Sequence, residues 1–373
     1  MIKLTKKSFL SLTPILLTLP LISASFVETR NGNSEQSSSS EVKKGERENI
    51  NSSNTFKWGH WNIRNFRGNS SQDQKTTRIA LLANHAKFDI LGLTEVDEES
   101  GIKKLVDKMN KLTNSNFYSY IASKKLNGSM FQKQGSKKTR DNSEHVAIIY
   151  NNSKFEIEEF SNGQKGYSYI DKFKDFLDNK NAEYARPPYG VKFKFRSKPK
   201  NKMTFVFAHF DAPGVSKNNK SLGEFQKNGI GTFEYREAKH LVNVLEHFDK
   251  LGNSEGNIFF GGDTNIKLGK QKLAFDWLDD SSKGYKSVFK DIEEHKTSLG
   301  KRKDWSEPYD KMFYKTKWEL LSSEIFDIYK VTRDKEIKKL FKDHNVEIIK
   351  ESEIQKENVL SDHTFTSATF KIQ

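Results

Sequence analysis

The chain has 373 residues, of which 63 are Lys or Arg and 49 are Asp or Glu, giving a formal net charge of +14. It contains no cysteine, which excludes disulfides, thiolate metal sites and cysteine nucleophiles. The positive charge favours a polyanionic partner such as nucleic acid or anionic lipid, and a lysine-rich surface that serves only solubility is the alternative.

The N-terminus has the pattern of a targeting segment. Three lysines within the first seven residues precede a mostly apolar stretch at 9–22, and Ser23-Ala24-Ser25 follows. This pattern predicts a signal peptide over residues 1–25, with an uncleaved N-terminal anchor as the alternative. We therefore expect an exported protein that is either secreted or attached to the outer face of the cell membrane. Residues 26–55 are polar and predict a disordered linker.

Residues 56–373 alternate short apolar runs with helical periodicity, which predicts one α/β domain. Helices are expected over Ile102–Leu112 and Ala238–Phe248, and Gly252 is placed to end the second. The polar stretches Ser123–Asn142 and Ser161–Glu183 are predicted to be long surface loops or insertions. The predicted strands are Trp58–Ile63, Ile90–Val96, Val146–Tyr150, Val191–Phe195, Thr204–His209, Ile258–Gly261 and Thr364–Ile372.

Polar side chains stand where several predicted strands begin or end, which is where an α/β sheet presents functional groups. One such string alone is more often a turn than a site. Together they share carboxylate, amide and imidazole groups, which indicates a common site. The strings are Trp61–Arg64, Leu93–Val96, Ala208–Pro213, Gly261–Asn265 and Ser361–His363.

In their order along the chain, these strings resemble the motifs of the endonuclease/exonuclease/phosphatase superfamily, and within it the deoxyribonuclease I-like enzymes. The resemblance covers about residues 56–371 and is carried by Asn62-Ile63-Arg64, Gly262-Asp263-Thr264-Asn265 and Ser361-Asp362-His363. It implies an α/β fold, a four-layer α/β sandwich with two packed mixed β-sheets flanked by helices. With its signal-like start and its bias to Lys, Asn and Phe, the chain also resembles the membrane or secreted nucleases of mollicutes.

The resemblance also implies a role for each matching residue. Metal ligands would be Glu95 and Asp362, with Asn62 nearby. Arg64, Arg186 and Asn62 would contact the substrate phosphate. The implied catalytic set is His209 held by Glu144, His363 held by Asp310, and Asp263 with Asn265, which would position the attacking water or a second metal.

Hydrolysis of a phosphodiester needs an activated water, a counter-charge for the phosphoryl oxygens and help for the leaving oxygen. Oxygen ligands without thiolates suit Mg²⁺, with Mn²⁺ or Ca²⁺ as alternatives. Which histidine is the general base does not follow from the sequence. Asp211 and His240 also carry titratable groups near these strings, but no motif supports them, and we expect both to be structural or exposed.

The sequence thus predicts a metal-dependent phosphodiester hydrolase that degrades extracellular nucleic acid without sequence specificity, with DNA preferred and RNA as an alternative substrate. The basic loop Lys124–Arg140 is expected to contact the nucleic-acid backbone, with an ordinary solvated loop as the alternative. A sphingomyelinase-like phosphodiesterase of the same superfamily and a non-catalytic surface binding protein are the alternative functions. A membrane tether is the alternative to secretion, and no protein partner is inferred.

Overall fold

The structure is a computed structural model, and it describes residues 54–125, 143–177, 179–212, 229–254, 256–302 and 304–373. The predicted signal segment, almost all of the predicted linker and most of the predicted basic loop Lys124–Arg140 lie outside the described residues. Within these ranges, no helix is both long enough and apolar enough to span a bilayer.

The described residues form two large β-sheets with helices packed on them. The strands are β1 (Thr55–Phe66), β2 (Ile90–Val96), β3 (Tyr118–Ala122), β4 (His145–Asn151), β5 (Phe155–Glu158), β6 (Gly166–Ser168), β7 (Phe173–Lys174), β8 (Asn181–Ala182), β9 (Tyr189–Phe195), β10 (Lys202–His209), β11 (Ile258–Asp263), β12 (Lys286–Ser287), β13 (Asp310–Lys315), β14 (Glu319–Ile325) and β15 (Thr366–Lys371). The helices are α1 (Asp73–Ala86), α2 (Glu99–Leu112), α3 (Thr232–Gly252), α4 (Gln271–Ala274), α5 (Lys330–Arg333) and α6 (Lys335–Asp343).

Both sheets are mixed. The first has six strands in the order β14-β15-β1-β2-β4-β3, and the second has seven, with β12-β13-β11-β10-β9-β5 in line and β6 beside β9. In the first sheet β1 runs parallel to β2 and antiparallel to β15, and in the second β10 runs parallel to β11. Strands β7 and β8 form a separate small pair. The central parallel pairs bring the carboxyl ends of β1, β2, β10 and β11 into position for a shared site.

A core rich in phenylalanine fills the space between the sheets. Trp58 on β1 faces Phe207 on β10 and Phe259 on β11, and all three are fully buried. Phe56 packs edge-on against Phe205 and Phe259, with ring centroids 6.1 and 5.6 Å apart. Large rings fill the roughly 10 Å gap between packed sheets, and edge-to-face contacts stabilise them beyond their buried area. The 28 phenylalanines of the sequence therefore compensate for its low apolar fraction of 34%.

Helices cover the outer face of each sheet. On α2, Ile102, Leu105, Val106 and Met109 are buried at helical spacing and join the core between the first sheet and α1. The buried face of α3 covers the second sheet in the same way. The order helix, sheet, sheet, helix confirms the predicted four-layer sandwich.

One sequence expectation is wrong in part. The stretch Ser161–Glu183 is not simply a surface loop, because Tyr169 and Phe173 are buried in the core beneath α3. Gly252 ends α3 as expected, and the next residue, Asn253, is left-handed with φ of 45°. Gly252 is also required for space, since a Cβ there would lie 2.6 Å from the Thr204 hydroxyl.

Candidate active site

The site lies where the inner faces of the two sheets end. Side chains alternate along a strand, so residues two apart share a face. On β10, the buried series of Phe205 and Phe207 continues to His209, and on β11 the series from Phe259 continues to Asp263. Five inner-face series, on β1, β4, β10, β11 and β13, end in polar groups at the same edge. The sequence therefore builds the site by placing a polar residue at the last inner position of each of these largely apolar series.

Asp263 is the centre of the site and is 1% exposed. Its Oδ2 accepts a hydrogen bond from Asn62 Nδ2 at 2.9 Å. The same oxygen lies 3.6 Å from His209 Nε2 and 3.5 Å from His363 Nε2. Both imidazoles thus face the same oxygen of one carboxylate.

Glu144 holds the first of these histidines. His209 Nδ1 lies 3.0 and 3.1 Å from the two carboxylate oxygens of Glu144. Burial opposes charge on both groups and Arg186 opposes it on His209, but Glu144 and Asp263 together outweigh these effects at His209, and His209 and Arg186 together outweigh burial at Glu144. The pKa of His209 is therefore raised and that of Glu144 lowered. His209 carries its proton on Nδ1 and turns Nε2 toward Asp263.

Asp310 holds the second histidine in the same manner. Its Oδ2 lies 2.7 Å from His363 Nδ1. Burial alone would lower the pKa of His363, but the carboxylates of Asp310 and Asp263 outweigh it and raise that pKa well above its usual value. Burial likewise opposes ionisation of Asp310, yet His363 keeps the pKa of this carboxyl strongly lowered. Asp310 is therefore ionised and fixes the ring of His363.

Glu95 shares the side-chain nitrogen of Asn62 with Asp263. Asn62 Nδ2 donates to Glu95 Oε1 at 2.8 Å, and the backbone N–H of Asn65 donates to Glu95 Oε2 at 3.2 Å. Glu95 has a φ of 55°, in the left-handed region that is costly for a residue with a side chain. This turn breaks the alternation of β2 and carries the carboxylate into the site.

Asp362 and Arg64, which were expected to bind metal and phosphate respectively, bind each other. Arg64 donates to Asp362 Oδ2 at 2.8 Å and to the backbone oxygen of Gln355 at 2.7 Å. Both side chains are about one-third exposed. The pair therefore forms the rim of the site, and either partner can meet a ligand only by giving up part of this ion pair.

Arg186 and Asn265 both contact the strand end that carries His209. Arg186 Nε donates to the backbone oxygen of His209 at 2.9 Å, and Arg186 Nη2 donates to the backbone oxygen of Phe210. Asn265 Nδ2 donates to the same Phe210 oxygen at 3.2 Å. Both residues are buried and face the site from beneath His209. The structure thus brings every predicted site residue to one edge of the sandwich, with Arg186 engaged by backbone oxygens.

Two sets of three side chains in the described residues have ligand atoms within 4.8 Å of one another, namely Glu95 with His209 and Asp263, and Asp263 with Asp310 and His363. Carboxylate oxygens and imidazole nitrogens without sulfur suit a hard divalent cation. Both sets include Asp263, so the donor groups fit a metal beside Asp263 and Glu95.

Three further residues support the site and were missed in the sequence. His60 and Thr94 are buried next to Asp310, and Lys75 on α1 is buried beneath the Arg64 turn. Lys75 Nζ donates to the backbone oxygens of Arg64 and Glu357 at 2.6 and 2.7 Å, and burial lowers its pKa to about 7. The period-two series Trp58, His60, Asn62 on β1 was the signal that could have revealed His60.

No protein-family model matches the chain. A protein of Mycoplasma pneumoniae described as uncharacterized is 37% identical over 136 residues, which are 36% of this chain and 27% of that protein. The matched segment therefore spans about a quarter of the relative. This likeness gives the expected mollicute resemblance only partial support.

Solved structures match most of the chain. An endonuclease/exonuclease/phosphatase family protein from Bacteroides thetaiotaomicron has a TM-score of 0.52 and 16% identity, over 86% of this chain and 98% of that one. The human Nocturnin catalytic domain with bound sulfate has a TM-score of 0.51 and 11% identity, over 86% and 95%. D. rerio TDP2 complexed with single-strand DNA product has a TM-score of 0.50 and 12% identity, over 85% and 99%. At these identities the likeness is one of fold, and the chain has the fold of the endonuclease/exonuclease/phosphatase superfamily, as its motifs predict.

Proposed function

We propose that the chain is a divalent-metal-dependent phosphodiesterase that hydrolyses nucleic acid, with DNA as the preferred substrate. The observation that carries this proposal is the pair of carboxylate-held histidines, Glu144 with His209 and Asp310 with His363, which both face Asp263. Hydrolysis requires one group to take a proton from water and another to protonate the leaving oxygen. Two imidazoles beside one carboxylate supply both groups.

Each residue contributes through its observed contacts. Glu95 and Asp263 would hold the cation, which when bound neutralises phosphoryl charge and makes a water more acidic, and Asn62, whose Nδ2 donates to both carboxylates, would orient them. Asp263 Oδ2, which lies 3.6 Å from His209 Nε2 and 3.5 Å from His363 Nε2, would accept a hydrogen bond from the attacking water. The deprotonated histidine takes the proton of the attacking water, the phosphorus–oxygen bond of the leaving group breaks, and the protonated histidine gives its proton to that oxygen. Either His209 or His363 can take either part.

A polymeric substrate is favoured by a basic hairpin beside the site. Ser298 pairs with His363, and the Leu299 N–H donates to the backbone oxygen of Asp362 at 2.8 Å. Two residues further on, the hairpin tip carries Lys301 and Arg302, which are exposed and form no ion pair with another described residue. Cations placed this close to the site match phosphates that flank a cleaved bond. The similar TDP2 structure, which was solved with a single-strand DNA product, is consistent with such a substrate.

The test is a substrate panel. The purified chain is incubated with plasmid, single-stranded DNA, RNA and sphingomyelin, each with Mg²⁺, Mn²⁺ or Ca²⁺ and with EDTA. Cleavage of DNA that requires a divalent cation is the expected result. Cleavage of sphingomyelin alone would favour the lipid phosphodiesterase, and binding of DNA without cleavage would favour a non-catalytic surface protein.

We further propose, from the N-terminal sequence pattern, that the enzyme acts outside the cell, either secreted or tethered to the membrane. Fractionation of expressing cells with an antibody to the chain tests this proposal. We expect to recover the chain in the medium or on the outer face of the cell membrane. Its confinement to the cytosol would contradict the proposal.

A further inference from the structure

We propose that His60 is a positioning residue that holds the second carboxylate oxygen of Asp310 and thereby fixes the aim of His363. This inference rests on the proposed function, because the reaction it serves is phosphodiester hydrolysis. It extends the pair of Asp310 and His363 to a chain of four side chains that runs from the surface of the site into the sheet interface and ends at Thr94.

Three distances define this series of four side chains. Asp310 Oδ2 lies 2.7 Å from His363 Nδ1, and Asp310 Oδ1 lies 3.1 Å from His60 Nδ1. His60 Nε2 in turn lies 3.1 Å from the Thr94 hydroxyl. The arrangement turns Nδ1 of His60 toward Asp310 and Nε2 toward the Thr94 hydroxyl, so each ring nitrogen has one polar neighbour.

Burial makes the contact between His60 and Asp310 obligatory. Both side chains are 0% exposed, and neither His60 Nδ1 nor Asp310 Oδ1 has a hydrogen-bond partner elsewhere in the described residues. The two atoms lie within ion-pair distance but off the line of an ideal hydrogen bond. A carboxylate oxygen buried without any partner is costly. Within the described part of the chain, His60 Nδ1 at 3.1 Å is the ion-pair contact of this oxygen.

The surrounding packing is shaped for an imidazole. The ring of His60 stacks on Phe207 with centroids 6.3 Å apart and an interplanar angle of 21°. Gly261 on the facing strand leaves space for it, since a Cβ at Gly261 would lie 3.0 Å from the Cβ of His60. An apolar ring at position 60 would satisfy this packing equally well, so packing alone does not require the two ring nitrogens of His60. The polar groups of Asp310 and Thr94 beside these nitrogens do require them.

The consequence concerns the direction of His363. A carboxylate held at one oxygen can turn about its Cβ–Cγ bond, and the imidazole it carries turns with it. With both oxygens held, Asp310 keeps His363 Nε2 aimed at the position beside Asp263. The expected effect of losing His60 is therefore on the rate of the chemical step more than on substrate binding.

The test compares three variants. His60→Leu keeps most of the volume and removes both nitrogens. His60→Asn keeps an N–H donor in the place of Nδ1, and Thr94→Val removes the distal hydroxyl without changing shape. Cleavage of plasmid and the thermal unfolding midpoint are measured for each. The low-field proton resonance of the His363 Nδ1–H, which reports its hydrogen bond to Asp310 independently of activity, is recorded alongside.

We expect His60→Leu to lower kcat by about 10–100-fold with little change in KM, as observed when partners of site residues are removed. His60→Asn should recover most of kcat and the low-field resonance, and Thr94→Val, which leaves the Nδ1 contact with Asp310 in place, should have a kcat near that of His60→Asn. If His60→Leu does not fold, a kcat in His60→Asn far below wild type overturns the inference. A wild-type chain that cleaves no nucleic acid contradicts the proposed function, whereas an active wild type with an equally active His60→Leu contradicts the positioning role alone.

Discussion

His240 provides a quantitative test of the packing of α3 against the segment 161–183. Its ring stacks on Phe173 with centroids 3.8 Å apart, and its Nε2 lies 3.1 Å from the Tyr169 hydroxyl. Burial lowers the pKa of His240 from 6.5 to about 4. Between these pH values the unfolded chain binds a proton that the folded chain does not. The stability contributed by His240 is therefore complete above pH 6.5 and falls as the pH falls toward 4.

A difference of about 2.5 pH units corresponds to about 3.4 kcal/mol of unfolding free energy. Part of the ring of His240 is exposed, so we discount this figure to about 2 kcal/mol for solvent screening. His240→Phe retains the stack on Phe173 and removes the titrating group. Urea unfolding of the wild type and of the variant is measured at pH 7 and at pH 4.5. The unfolding free energy lost between these two pH values should be about 2 kcal/mol smaller in the variant than in the wild type.

Tyr169→Phe is the matched control. It removes the hydroxyl near His240 but leaves the imidazole buried against Phe173, so it should keep the pH dependence of the wild type. Parallel losses of stability in the wild type and in His240→Phe would refute the reasoning, because they would mean that the ring is solvated in the folded chain.

Three further predictions concern separate features. Glu144→Gln should lower kcat by about 10–100-fold while the fold is retained, because the neutral amide cannot stabilise a protonated His209, and kinetics with circular dichroism check this. Arg302→Ala should reduce the slope of log affinity for DNA against log salt by up to about 0.9. Lys200→Ala, just before the end of β10 that lies away from the site, should leave this slope unchanged. Gly252→Ala should lower the free energy of unfolding by about 1–3 kcal/mol, because its Cβ overlaps the Thr204 hydroxyl.

Each of these predictions has a contrary outcome. A Glu144→Gln enzyme with wild-type kcat would exclude a role for Glu144 in catalysis. Equal salt slopes for the two basic-residue variants would exclude the hairpin tip as a phosphate contact. A Gly252→Ala chain as stable as the wild type would mean that the end of α3 can shift without cost.

The residues at the centre of the site were predictable because their signals are local. Asp263 and His209 each end a mostly apolar strand, His363 stands in the Ser361–His363 string just before β15, and their order matches a known motif series. The strands that carry them were predicted to within a few residues. Their convergence follows from the parallel pairing of central strands, which the alternating α/β pattern already indicated.

Other features depend on contacts between distant parts of the chain. The pair of Arg64 and Asp362 joins residues 298 positions apart, and which of many acids an arginine meets is decided by packing. Lys75 appears as an ordinary helix-surface lysine in the sequence, but the Arg64 turn folds over it. Helices α1 and α6 and the short edge strands were not predicted, because their apolar faces are interrupted by polar residues that the fold pairs or exposes.

The central claim is that a phosphodiester bond is hydrolysed between His209 and His363. Its most direct test is the conversion of supercoiled plasmid with Mg²⁺ by the wild type and by His363→Ala, with folding of both checked by circular dichroism. We predict cleavage by the wild type, none by the folded variant and none by the wild type in EDTA. Cleavage by His363→Ala at the wild-type rate would contradict the account.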